Sequence, residues 1–68
     1  MDFKISLAAA RVNAGMSQGE AAEKLGVSRA TLLSWEHGKT GIPSKSLMDL
    51  CGIYNCPLDA IRLPSGLS

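Results

Sequence analysis

Apolar residues recur along this chain at helical spacing, interrupted by glycines and by polar residues suited to opening a helix. Phe3, Leu7, Ala10 and Ala14 follow that period, Asp2 can cap the start, and Gly15 can supply the left-handed residue that ends it. A first helix is expected over Phe3–Ala14. Ser17-Gln18-Gly19-Glu20 has the form of a capping box, in which serine and glutamate side chains each satisfy the other's backbone N–H. It opens a second helix, with Ala21, Ala22 and Leu25 facing inward and Gly26 as its stop. Val27 then enters the core and Ser28 caps a third helix, which carries Leu32 and Trp35 inward and ends at His37-Gly38.

Lys39-Thr40-Gly41-Ile42-Pro43 reads as a loop, and Ser44 as the cap of a fourth helix. Leu47, Leu50, Cys51 and Tyr54 form the apolar stripe of that helix. Pro57 opens a short last helix that packs through Leu58 and Ile61, and Leu63 to Ser68 reads as a frayed tail. With no β-branched alternation, the expected fold class is all-α: a compact bundle of about five short helices in one domain over residues 1–68.

Composition narrows the function more than the fold. At 68 residues the core is small, and a catalytic cleft with a lid is not expected. The net charge of +1 carries no nucleic-acid signal by itself, so any basic surface must arise from arrangement. Asp2, Glu20, Glu23 and Glu36 hold most of the acidic charge, while Arg29, Lys39 and Lys45 bracket the middle of the chain. Cys51 and Cys56 lack the partners of a disulfide scaffold or zinc site and are expected as reduced thiols in or near the core. No carboxylate pair, nucleophile–base set or metal cluster stands out, and neither Ser17 nor Ser34 has a histidine at workable spacing; no enzyme, cofactor, metal or small-molecule substrate is expected. No apolar run nears the roughly 18 residues of a membrane helix, and Ile5 to Val12 lacks a signal peptide's cleavage region. The expected place is the cytoplasm or nucleoid of a bacterium, or of the host cell if phage-encoded.

Two short helices joined at Leu25-Gly26-Val27-Ser28 are the minimum device for presenting one helix outward while the other braces it. Arg11, Gly15-Met16-Ser17-Gln18, Ala22-x-x-Leu25-Gly26-Val27-Ser28 and Leu32-x-x-Trp35-Glu36-x-Gly38-Lys39 resemble the phage repressor/Cro, or XRE, type of helix-turn-helix protein. The resemblance continues through Pro43, Leu47, Cys51-x-x-Tyr54 and Leu58 to Ile61, covering residues 3–61. It implies a lambda-repressor-like DNA-binding domain, its motif spanning 18–38 and its recognition helix 29–37 entering the major groove N-terminal end first.

Carried onto this chain, the resemblance puts Arg29, Ala30 and Ser34 at the bases. Arginine can grip guanine with two hydrogen bonds, worth roughly 1–3 kcal/mol of discrimination, and alanine can pack on a thymine methyl. Arg29 could instead hold a phosphate and carry no sequence information. Gln18 and Ser28, at helix N-termini that attract anions, are implied as phosphate contacts, although each can equally serve its helix alone. Lys39, Thr40 and Lys45 flank the following loop and are candidates for the far phosphate backbone, with solvation as the plain alternative. His37 suits a helix C-terminus and is a further phosphate candidate, and Trp35 is read as core. Arg11 and Glu36 match a pair that in several such repressors forms a buried salt bridge between the first and third helices.

Three departures from the family pattern matter. Leu33 stands where the family is usually polar and is a candidate to read a methyl group or touch a protein; Gly41 and Ile42 replace residues often basic; Ala30 removes a hydrogen-bonding reader. Fewer cations release fewer counterions, so modest affinity and a shallow salt dependence are expected. The implied function is a sequence-specific transcriptional regulator acting as a homodimer on an inverted-repeat operator in double-stranded DNA. Pro57, Leu58 and Ile61, within Asn55 to Leu63, either form the dimer surface or merely finish the core. The competing reading is a protein-interaction module of the same fold that modulates another repressor or a toxin.

Overall fold

The computed structural model describes residues 4–64. Among them are four α-helices and one 3-10 turn: α1 (Leu7–Asn13), α2 (Gln18–Leu25), α3 (Arg29–His37), α4 (Ser44–Tyr54) and the turn Leu58–Ala60. The described residues are all-helical, with one isolated parallel bridge between Ile5 and Ile61.

That bridge shortens the first helix. The Ile5 amide donates to the Ala60 carbonyl at 2.9 Å and the Arg62 amide to the Ile5 carbonyl at 2.8 Å, so Ile5 is extended and cannot join a helical turn. Ser6 becomes the cap, its Oγ accepting from the Ala9 amide at 3.1 Å, and the helix begins at Leu7 instead of Phe3. The expected cap at Asp2 and packing of Phe3 lie outside the described residues. A second boundary also moves. The Pro43 carbonyl accepts from the Leu47 amide at 2.9 Å, placing Pro43 at the cap and Ser44 inside the first turn, too late to cap α4.

The core gathers Leu7 and Ala10 of α1, Ala21 and Ala22 of α2, Leu32 and Trp35 of α3, Leu50, Cys51 and Tyr54 of α4, and Ile61. Alanines on α2 let its neighbours approach closely, while Leu7, Leu32 and Leu50 fill the centre. Leu47 packs against this core from its edge. Ile61 is buried, but Leu58 is 49% exposed: a 3-10 turn of three residues turns Leu58 outward before the chain becomes extended. Both cysteines are free thiols; burial, then neighbouring Cys56, pushes the Cys51 thiol upward and disfavours its reactive thiolate.

The segment expected to fray has a contact at its start. A Cβ added to Gly38 would lie 3.0 Å from Pro64 Cβ and 3.2 Å from Pro64 Cγ, so the proline ring sits against the cap of α3. Gly26 and Gly38 both close their helices in the left-handed region, at φ 85° and 75°. They differ in surroundings, since a Cβ at Gly26 would meet nothing within 4 Å. Gly26→Ala should cost about 1–2 kcal/mol, the penalty of the left-handed backbone alone. Gly38→Ala should cost more, and the excess should shrink in a Pro64→Gly background. Equal losses in urea denaturation would contradict the contact.

Tyr54 yields a second expectation. Its hydroxyl is buried without a hydrogen-bond partner, and burial first, then the Glu36 carboxylate, raise its pKa to about 12, against the lowering effect of Arg11. Because the folded value lies above the unfolded one near 10, the tyrosine favours folding below pH 10 and loses that contribution as pH rises toward 12. Tyr54 is the sole tyrosine, so its phenolate absorbance should appear near pH 12 in folded protein. Tyr54→Phe should unfold at higher pH and be no less stable at pH 7, since it removes an unpaired buried group. Phenolate absorbance near pH 10 while the fold persists would contradict the burial.

Candidate nucleic-acid interface

The helix pair is built by local chemistry at three points. Ser17 Oγ accepts from the Glu20 amide at 3.1 Å while Glu20 Oε1 accepts from the Ser17 amide at 2.9 Å, which closes the capping box of α2. Hydrogen bonding to Ser17, through its backbone amide foremost and then its side chain, holds the Glu20 carboxyl below its ordinary pKa. Gly26 ends α2 in the left-handed conformation, and the Val27 amide closes the turn onto the Ala22 carbonyl at 3.0 Å. Ser28 then starts α3, its Oγ accepting from the Thr31 amide at 3.1 Å.

With Leu32 and Trp35 buried, the rotation of α3 is settled. At about 100° per residue, Arg29, Leu33, His37, Ala30 and Ser34 fall in one sector of about 140° on the side away from those anchors. Arg29, Ala30 and His37 are exposed, and Leu33 and Ser34 are half-buried. The candidate base-reading residues thus share one face, and the exposed pair Arg29-Ala30 occupies its N-terminal end.

The candidate phosphate contacts are spread around that face. Gln18 is the first residue of α2, and Ser28 stands at the mouth of α3. The Ser28 hydroxyl donates to Thr31 Oγ1 at 2.9 Å, so its proton is already engaged. Thr31, half-buried, takes part in this cap; the sequence reading passed it over, although its spacing from Ser28 was a usable signal. Lys39 and Thr40 are exposed just beyond Gly38, and the Lys39 amide donates to the Ser34 carbonyl at 2.9 Å. Lys45 lies on α4 instead, its Nζ 3.0 Å from Asp49, where a carboxylate offsets its charge.

Behind the face lies the one ion pair that joins α1 to α3. Arg11 Nε donates to Glu36 Oε2 at 2.9 Å, with the two side chains 11% and 2% exposed, and Arg11 Nη1 donates to the Met16 carbonyl at 3.0 Å. One guanidinium therefore ties the end of α3 to α1 and to the turn before α2.

This arrangement has a counterpart among known proteins. A family model described as Helix-turn-helix matches residues 7–61, which contain all four helices and the whole of the face. The chain belongs to the XRE, or phage repressor/Cro, type of helix-turn-helix family. The family is one of DNA-binding regulatory domains. No curated protein and no solved structure gives a significant match. Among the described residues, no helix is long and apolar enough to cross a membrane.

Family membership gives the ion pair a measurable weight. Arg11→Ala should destabilise this helix-turn-helix chain by about 3–5 kcal/mol, because Glu36 is left charged and almost buried. Replacing both partners, as Arg11→Met with Glu36→Leu, should recover much of that loss. Urea denaturation of the three proteins decides the matter, and a parent-like midpoint for Arg11→Ala would remove the bridge from the account.

Proposed function

We propose that this chain is a sequence-specific transcriptional regulator of bacterial or phage type that occupies operator DNA with α3 in the major groove. The observation that carries this reading is the single face of α3, with Arg29 and Ala30 exposed at its N-terminal end and Leu32 and Trp35 anchoring the opposite side. Arg29 reads a guanine, Ala30 and Leu33 lie against thymine methyls, and Ser34 supplies an adaptable hydrogen bond. Gln18, the N-terminus of α3 at Ser28, His37, Lys39 and Thr40 hold phosphates on either side. Lys45, paired with Asp49, is the weakest of these contacts.

A domain this small spans few base pairs, so useful discrimination calls for two copies on an inverted repeat, with half-site centres about 34–36 Å apart. Ile61 belongs to the core, which leaves exposed Pro57 and Leu58 as the apolar part of a pairing surface in that region. Leu58 equally suits the second reading, a module that docks on another protein.

Selection of bound sites from random double-stranded DNA, followed by gel shifts, tests the proposal. A palindromic site is expected, and Arg29→Ala should weaken binding to it about tenfold or more while relaxing the preference at one position per half-site. The log–log salt slope should be well below that of a protein making ten phosphate contacts. No enrichment of any sequence, or an Arg29→Ala protein with parental affinity and preference, would overturn the DNA-reading mechanism.

A further inference from the structure

The loop that follows α3 has little in its own sequence to hold it in shape. It contains Gly38 and Gly41, a Cβ at Gly41 would meet nothing within 4 Å, and Lys39, Thr40 and Gly41 are all exposed. Side chains from elsewhere in the chain pack behind it. Thr40, Gly38 and half-buried Ile42 line a small recess of about 60 Å³ with buried Trp35, and Leu63 and Pro64 line the same recess. Leu63 is 41% exposed and stands outside the core cluster.

Leu63 and Pro64 are themselves held in place. Ile61 is buried and bridges Ile5, and the Arg62 amide donates to the Ile5 carbonyl at 2.8 Å, so the chain entering Leu63 is fixed two residues earlier. The proline ring fixes one backbone angle of Pro64, and its Cβ and Cγ lie so near Gly38 that an added Cβ would meet them at 3.0 and 3.2 Å. The Ile5–Ile61 bridge thus fixes the direction from which Leu63 and Pro64 reach the loop.

We propose that Leu63 and Pro64 are positioning residues for DNA binding, a strut that presets the Lys39–Thr40 loop in its phosphate-contacting shape. This rests on the reading of that loop as a phosphate contact. A preset loop loses less freedom when it meets the backbone of DNA, so the strut acts on affinity without touching the nucleic acid. The effect is the same for every DNA sequence, because a phosphate contact carries no base information.

The test uses the whole chain with Leu63→Ala and Pro64→Gly together, Lys39→Ala alone, and all three changes combined. Backbone NMR order parameters in free protein should fall at Lys39, Thr40 and Gly41 while those of Leu32 and Trp35 stay parental. On the selected DNA site the double variant should bind about tenfold more weakly, with a salt slope about one unit shallower, as for Lys39→Ala; adding Lys39→Ala to it should change little more. Parental order parameters at 39–41, parental affinity, or additive losses would overturn the strut, as would a fall spread equally over Leu32 and Trp35. A parent that binds no DNA would overturn the DNA reading instead, while order parameters lowered only at 39–41 would still establish that Leu63 and Pro64 order the loop.

Discussion

The aim of α3 depends on a guanidinium that crosses 25 residues of sequence to reach Glu36. Short helices in so small a core have few contacts to set their angle, and side chains as forgiving as Ala21 and Ala22 permit several packings. Arg11 narrows the choice because its planar head must meet a carboxylate on α3 and the Met16 carbonyl at once. Geometry of this kind is directional where burial is not. The pair's near-complete burial makes it a weak source of net stability against an apolar replacement, yet a severe penalty on any packing that separates the two charges.

From that constraint the division of labour within α3 follows. Its inward residues, Leu32 and Trp35, are large and buried, so the helix cannot rotate without emptying the core. The outward residues are consequently free to vary without cost to the fold. Leu33 and Ala30 show that freedom, since neither is needed by the core and neither is the polar residue a reader of bases would ordinarily offer.

What could be read from the sequence was what short-range chemistry decides. The capping box Ser17–Glu20, the cap at Ser28 and the left-handed glycines at 26 and 38 involve residues within four or five of one another, and each stood where the pattern placed it. The ion pair of Arg11 with Glu36 is long-range, and only the family resemblance implied it. Two further features had no local signal. Ile5 lay within the span expected for the first helix but is captured by Ile61, and Pro64 resembled any proline in a polar tail until Gly38 came against it. For the DNA face, the buried anchors could be inferred from periodicity, and hence which residues share the opposite side. Which of those side chains touches a base depends on a partner's shape, and no pattern within one chain contains that.

The charge distribution decides what kind of DNA reader such a face can be. Of seven lysines and arginines, Arg11 is consumed by Glu36, Lys45 is engaged by Asp49, exposed Lys4 and Arg62 flank the Ile5–Ile61 bridge, and Lys24 shares the bracing helix with Glu20 and Glu23. Arg29 and Lys39 are then the full positive charges flanking the proposed groove contact. Each phosphate neutralised contributes about 0.9 to the salt slope, so a single copy so equipped gains little from counterion release. Non-specific affinity, which comes almost wholly from that source, is expected to be correspondingly low under the proposed function. Under the proposed function this favours specificity: with a weak electrostatic background, contacts at Arg29 and a well-shaped fit account for a larger share of the binding. The corresponding requirement is a rigid loop and a second copy, because a face with so few charges cannot compensate for disorder or for a missing half-site.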